Sequence, residues 1–139
     1  MKYMVRAKVY RASNVTFNPE TMEAYSYAWW LFVKRIGQLN VFNSYRYSSA
    51  TSGHQAGVRR LLGELGIQIH ADIKAGVGLQ SQAWAQKAIE GYKQDITDTE
   101  QAMAKGKPAK NIERAQYIVE LRAKIKQVKA LAKMDGVPA

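Results

Sequence analysis

Residues 24–47, AYSYAWWLFVKRIGQLNVFNSYRY, constrain this chain more than any other stretch. They alternate as a strand does, reach Gly37-Gln38, and alternate again. Glycine takes the positive φ of the first position in a two-residue type II′ turn without steric cost, so a hairpin is expected there, with Ile36 opposite Leu39 and Trp30 opposite Tyr45. One face then carries Trp30, Phe32, Ile36, Leu39, Val41, Tyr45 and Tyr47. The other carries Tyr25, Tyr27, Trp29, Leu31, Val33, Phe42 and Arg46. A two-stranded ribbon cannot bury so many rings on one face. Part of the aromatic surface must be core, and the part beside Lys34, Arg35 and Arg46 is a candidate contact surface.

The flanking segments extend this sheet. Tyr3–Tyr10 alternates as one half-buried strand, and Ser13–Thr21, with Asn14, Asn18 and Pro19, reads as a connection. After the hairpin, Ser52 with Gln55 three residues on matches a capping box. Val58, Leu61, Leu62 and Leu65 fall on one helical stripe, and Gly66 stands where a helix ends. Ile67–Ile73 alternates again, with Ile67, Ile69, Ala71 and Ile73 expected on one inward face, and Gly76 and Gly78 break the pattern. The last third is helical. Ser81 is the expected cap of a helix with the stripe Ala85, Ile89, Tyr92, Ile96 and Met103. Lys105-Gly106-Lys107-Pro108 turns the chain, and a second helix follows with the seam Ile118, Leu121, Ile125, Val128 and Ala132.

The expected fold is α+β: an antiparallel sheet of about four strands in β-β-β-α-β order with one packed helix, followed by a C-terminal antiparallel helical hairpin. The expected division is residues 1–78 for the sheet unit and 79–139 for the hairpin, which packs on the sheet or serves oligomerisation. The order matches neither an RRM nor a double-stranded-RNA-binding domain.

Composition narrows the function. There are no cysteines, so thiolate metal sites and disulfides are excluded, which fits a cytoplasmic location. No apolar run is long enough to span a membrane, and no membrane partner is expected. The net charge is +10, with the basic surplus spread through both halves, and such a field favours polyanionic partners. No phosphate-binding glycine loop of the GxxxxGK[ST] type is present. His54 and His70 lack metal-ligand spacing, and the acidic residues are too scattered for a two-metal site, so neither catalysis nor a cofactor is expected.

Three groups of residues carry the binding chemistry. Tyr25, Tyr27 and Trp29 would stack on bases or anchor an interface, since aromatic platforms beside cations bind single strands. Arg6, Lys8, Lys34, Arg35, Arg46, Ser52, His54, Arg59 and Arg60 would engage phosphates, the middle of this set entering the first helix, whose N-terminus carries free amides. Arg122, Lys126, Lys129 and Lys133 form a basic stripe along the last helix. The expected function is non-enzymatic binding of DNA or RNA. The alternatives are a phage-type accessory protein that binds and inhibits a host protein or defence complex, or capture of a small nucleotide anion. A homo-dimer through the C-terminal helices is compatible with either.

Overall fold

The computed structural model describes residues 4–6, 9–12 and 14–139, with side chains from Tyr10 onward. The fold is α+β. Among the described residues seven strands form one sheet in sequence order: β1 (Met4–Arg6), β2 (Val9–Ala12), β3 (Val15–Asn18), β4 (Glu23–Ser26), β5 (Trp30–Ile36), β6 (Leu39–Asn43) and β7 (Ala71–Ile73). The first six run antiparallel as a meander. Helix α1 (Ser49–Glu64) then crosses over, and β7 returns parallel to β6. The sheet is therefore mixed and longer than the four antiparallel strands expected. A parallel partner needs a crossover of about a dozen residues, which α1 supplies.

Several expectations change for identifiable reasons. The strand expected over Tyr3–Tyr10 is two, because Arg6 pairs with Val9 and the chain doubles back. Its expected face assignment lies outside the described side chains. The expected connection Ser13–Thr21 contains β3, whose Val15 and Phe17 are buried. Four residues between Asn14 and Pro19 are too few for alternation to stand out.

The turn at Gly37-Gln38 forms as expected, with Ile36 opposite Leu39 and Gly37 at φ 60. The face assignment does not hold through β5. Ala24 pairs with Val33 and Tyr25 with Leu31, so Phe32 is an extra residue in a β-bulge. The alternation slips there. Trp30, Phe32, Val33 and Phe42 enter one core, while Leu31, Ile36 and Val41 enter the other. Trp30 pairs with Ser26 rather than Tyr45, because Tyr27–Trp29 form a turn and β6 ends at Asn43.

Each sheet face is covered, giving three layers. Val58, Leu61 and Leu62 of α1 seal Trp30, Phe32, Phe42 and Phe17 on one side. On the other side lie α2 (Trp84–Lys105) and α3 (Asn111–Asp135), whose Trp84, Ile89, Leu121, Val128 and Leu131 cover Leu31, Ile36, Val41 and Ile73. The expected seam of α3 is the buried one. Full burial of such side chains is worth about 1.5–3 kcal/mol each, which makes this double-faced core the main source of stability. Ile67 and Ile69 pack toward the α1 side and Ala71 and Ile73 toward α2 and α3, so the four do not share one inward face.

The caps also differ. Ser48, not Ser52, caps α1, its Oγ accepting the Thr51 amide at 3.1 Å. Gln55 is buried and donates from Nε2 to the carbonyls of Asn43 and Tyr45. It pins the β6–α1 connection instead of closing a capping box. Gly66 ends α1 at φ 69 as expected. Helix α2 begins at Trp84 without a side-chain cap, and Ser81 accepts the Ala83 amide instead.

Candidate nucleic-acid interface

Two turns meet at the N-terminal end of α1. The β4–β5 turn, Tyr27–Trp29, lies beside the β6–α1 connection, Ser44–Ser48. The ring of Trp29 stands edge-to-face with Tyr47 at 5.9 Å, and the ring of Tyr27 stands edge-on to His54 at 5.2 Å. Trp29 is 51% exposed, Tyr47 53% and Tyr27 42%, so three rings face solvent within one cluster. Tyr47 is backed by buried Trp30, at 5.7 Å between centroids. Exposed rings scattered singly would mean nothing, but rings gathered where two turns meet are a candidate contact surface.

The turn that presents these rings is unusual. Tyr27 and Ala28 are consecutive at φ 56 and 66, a left-handed geometry that costs non-glycine residues about 1–2 kcal/mol each. The Tyr27 amide donates to the Asn14 carbonyl at 2.7 Å, which holds the turn down. Ser26, fully buried, meets His54 Nδ1 at 2.7 Å and Thr51 Oγ1 at 3.3 Å. These contacts lock the turn to the first turns of α1. Strain over-determined in this way clusters at working surfaces. The Ser26–His54 contact is not an accessible nucleophile pair, because the hydroxyl is sealed from solvent. Burial lowers the His54 pKa from its ordinary 6.5, so the ring is neutral near pH 7.

Arg46 is exposed between Tyr45 and Tyr47. The first turn of α1 carries no acidic residue, so its amides and dipole leave a partly positive end beside the rings. Ser52 Oγ is buried without a hydrogen-bond partner and does not reach the surface cluster. The two separate expectations, aromatic hairpin and helix start, thus converge on one region, where Tyr27 stands against His54 near Trp29 and the exposed Arg46 is next in the chain to Tyr47. Tyr47 completes it. Sequence alternation had placed Tyr47 on the opposite face from Trp29, and the bulge and the turn remove that separation.

Other expected residues stand elsewhere. Tyr25 is half-buried against the α2–α3 core, on the far side of the sheet from α1. Lys34 is paired with Asp135 at 2.7 Å. Arg59 is paired with Asp72 at 2.8 Å and lies 4.2 Å over the Phe42 ring. Arg35 and Arg60 are exposed. Arg122, Lys126, Lys129 and Lys133 are all exposed on α3, in the layer across the sheet from α1. The side chain of Arg6 and all of Lys8 lie outside the described residues. His70 accepts the Asn40 amide at 2.9 Å. Among the described residues no group of three or more His, Cys, Asp or Glu side chains is placed to hold a metal ion, and no helix is long and apolar enough to cross a membrane.

One residue that sequence reading passed over organises the site. Asn43 is fully buried and uses its whole side-chain amide. Nδ2 donates to the carbonyls of Ala75 and Val77, and Oδ1 accepts the amides of Tyr45 and Ala75. It fixes the course of the chain as it leaves β6 toward Tyr45 and Tyr47. No protein-family model matches the chain, and neither a curated protein nor a solved structure shows significant similarity to it.

Proposed function

We propose that this protein binds single-stranded nucleic acid without chemical conversion, with bases stacking on Trp29, Tyr47 and Tyr27. Arg46 and the open end of α1 take the neighbouring phosphates. The observation that carries this reading is the group of three solvent-facing rings beside a helix start free of acidic residues, next to Arg46, on a chain of net charge +10. Stacking on such platforms is worth about 1–3 kcal/mol per base and tolerates any sequence. The long-range field of the remaining Lys and Arg residues, the α3 stripe included, accelerates encounter without defining register.

Fluorescence anisotropy with labelled single-stranded and duplex oligonucleotides, titrated over salt, tests it. The expected result is preference for single strands, with log affinity falling against log salt by about 0.7 per phosphate engaged. Equal, weak binding of all polymers that vanishes at physiological salt would reject the platform as a nucleic-acid site. The second reading, a protein partner anchored by the same rings, would then lead. It draws on the rigid Tyr27–Ala28 turn and on the prominence of Trp, Tyr and Arg in interface hot spots.

A further inference from the structure

A separate groove lies where the chain leaves β7, between residues 74–76 and the middle of α2. Its volume is about 410 Å³, within the range of small-ligand sites. A second hollow of about 300 Å³ shares Lys74, Tyr92 and Asp95 with it, so the two adjoin.

Two walls of the groove are bare backbone. Gly76 lies under the ring of Tyr45: a β-carbon there would sit 3.7 Å from Cζ. The edge of the Tyr45 ring thus stands about one methyl group away from the Gly76 main chain, and the ring stays 41% exposed. Gly91 stands inside α2, where glycine costs about 1 kcal/mol relative to alanine. A β-carbon at Gly91 would meet nothing within 4 Å. No packing partner in the fold requires that glycine, and the space its side chain would take is the groove. The floor is Tyr92, whose hydroxyl accepts the Lys74 amide at 2.9 Å.

The charges around this slot are mixed. Lys74 is exposed, and Lys87 is held only by a surface contact to Glu90 at 3.6 Å. Such a pair is worth little and releases its cation readily. Asp95 and Glu90 offer acceptors. A polyanion backbone is poorly suited to carboxylates at this density. A ligand with one anionic group, one flat ring and several donors suits all the walls.

We propose that this groove binds a single nucleotide unit, its base against Tyr45 and between the bare edges of Gly76 and Gly91. Its phosphate lies toward Lys74 and Lys87, and its sugar or base donors lie toward Asp95. The site is distinct from the Trp29–Tyr47 platform and does not depend on that reading. A free mononucleotide and the terminal unit of a longer strand present the same chemistry.

The test is amide NMR of the whole chain with adenosine monophosphate, with adenosine, with inorganic phosphate, and with a short oligonucleotide. Each is run on the wild type and on Trp29→Ala, which disables the platform. Saturable shifts of the Gly76 and Gly91 amides with adenosine monophosphate in both proteins support a free-nucleotide site. Shifts with the oligonucleotide alone support a strand-end site. Gly91→Leu should weaken the shift-determined affinity about tenfold or more. Leucine is a good helix former placed in open space, and Gly91→Ala serves as the folding control. No shift at either glycine with any ligand, or affinity unchanged in Gly91→Leu, would overturn the assignment.

Discussion

Asn43 and Ala75 exchange two hydrogen bonds: Asn43 Nδ2 donates to the Ala75 carbonyl at 3.0 Å, and the Ala75 amide donates to Asn43 Oδ1 at 2.9 Å. The side chain thereby acts as one more rung of the β6–β7 ladder after β7 has ended at Ile73. It ties the Tyr45–Tyr47 connection to the segment that carries Gly76. Replacing it leaves several buried polar groups without partners, each worth about 1–3 kcal/mol. Asn43→Ala should therefore cost about 3 kcal/mol or more in urea unfolding. Asn43→Asp, nearly isosteric, should also destabilise, because a carboxylate would face the Ala75 and Val77 carbonyls. An Asp variant as stable as the wild type would show that the amide donors are dispensable.

His54 gives stability a pH dependence. Burial against Tyr27 and Ser26 lowers its folded pKa below the ordinary 6.5, so the unfolded chain binds this proton more readily. The contribution is complete above that ordinary value and is lost as pH falls from it toward the lowered folded value. Thermal unfolding at pH 7.5 and pH 5 should show a smaller drop in His54→Asn than in the wild type. Identical drops would assign the acid sensitivity to other groups.

Asp135 closes the far side of the molecule. Its Oδ2 accepts from Lys34 Nζ at 2.7 Å and from Trp84 Nε1 at 2.9 Å, fastening the end of α3 to the hairpin and to α2. Asp135→Ala strands a buried indole N–H and a partly buried ammonium. The expected cost is about 2 kcal/mol, discounted because Lys34 keeps 24% of its side chain exposed. Asp135→Asn retains an acceptor and should cost less. Equal losses in the two variants would assign the effect to charge alone.

Gly91→Ala should stabilise the fold, by up to about 1 kcal/mol, since its β-carbon enters open space within a helix. Chemical denaturation reads this directly. A destabilised variant would mean that the fold itself needs the glycine, which would remove one argument for the groove.

The legible parts of this fold were those with local signals. Gly37 announced its turn because positive φ is a property of one residue, and the α3 seam was visible because five apolar positions repeat at helical spacing. The bulge at Phe32 has no local signature. Leu31, Phe32 and Val33 read as ordinary alternation, and only pairing with β4 and β6 makes one of them extra. The same slip hid the site. Tyr27, Trp29 and His54 were legible as candidates from residue type, but their meeting with Tyr47 depends on the turn at Tyr27–Ala28, where neither glycine nor asparagine marks the left-handed geometry. Asn43 stayed hidden because an asparagine at a strand end reads as a turn residue, and its four bonds come from chain about thirty residues away as well as from its neighbour.

Of the three tryptophans, only Trp29 faces solvent; Trp30 and Trp84 are buried. Quenching of intrinsic tryptophan fluorescence therefore reports on the platform itself. The most direct measurement is a titration of wild type, Trp29→Ala and Tyr47→Ala with a single-stranded oligonucleotide at fixed salt, followed by fluorescence and by anisotropy of a labelled strand. The account predicts saturable quenching in the wild type that disappears in Trp29→Ala, and an affinity loss of about 1–3 kcal/mol in each variant with little change in folding stability. Absent quenching, or binding equally tight in all three proteins, would contradict it.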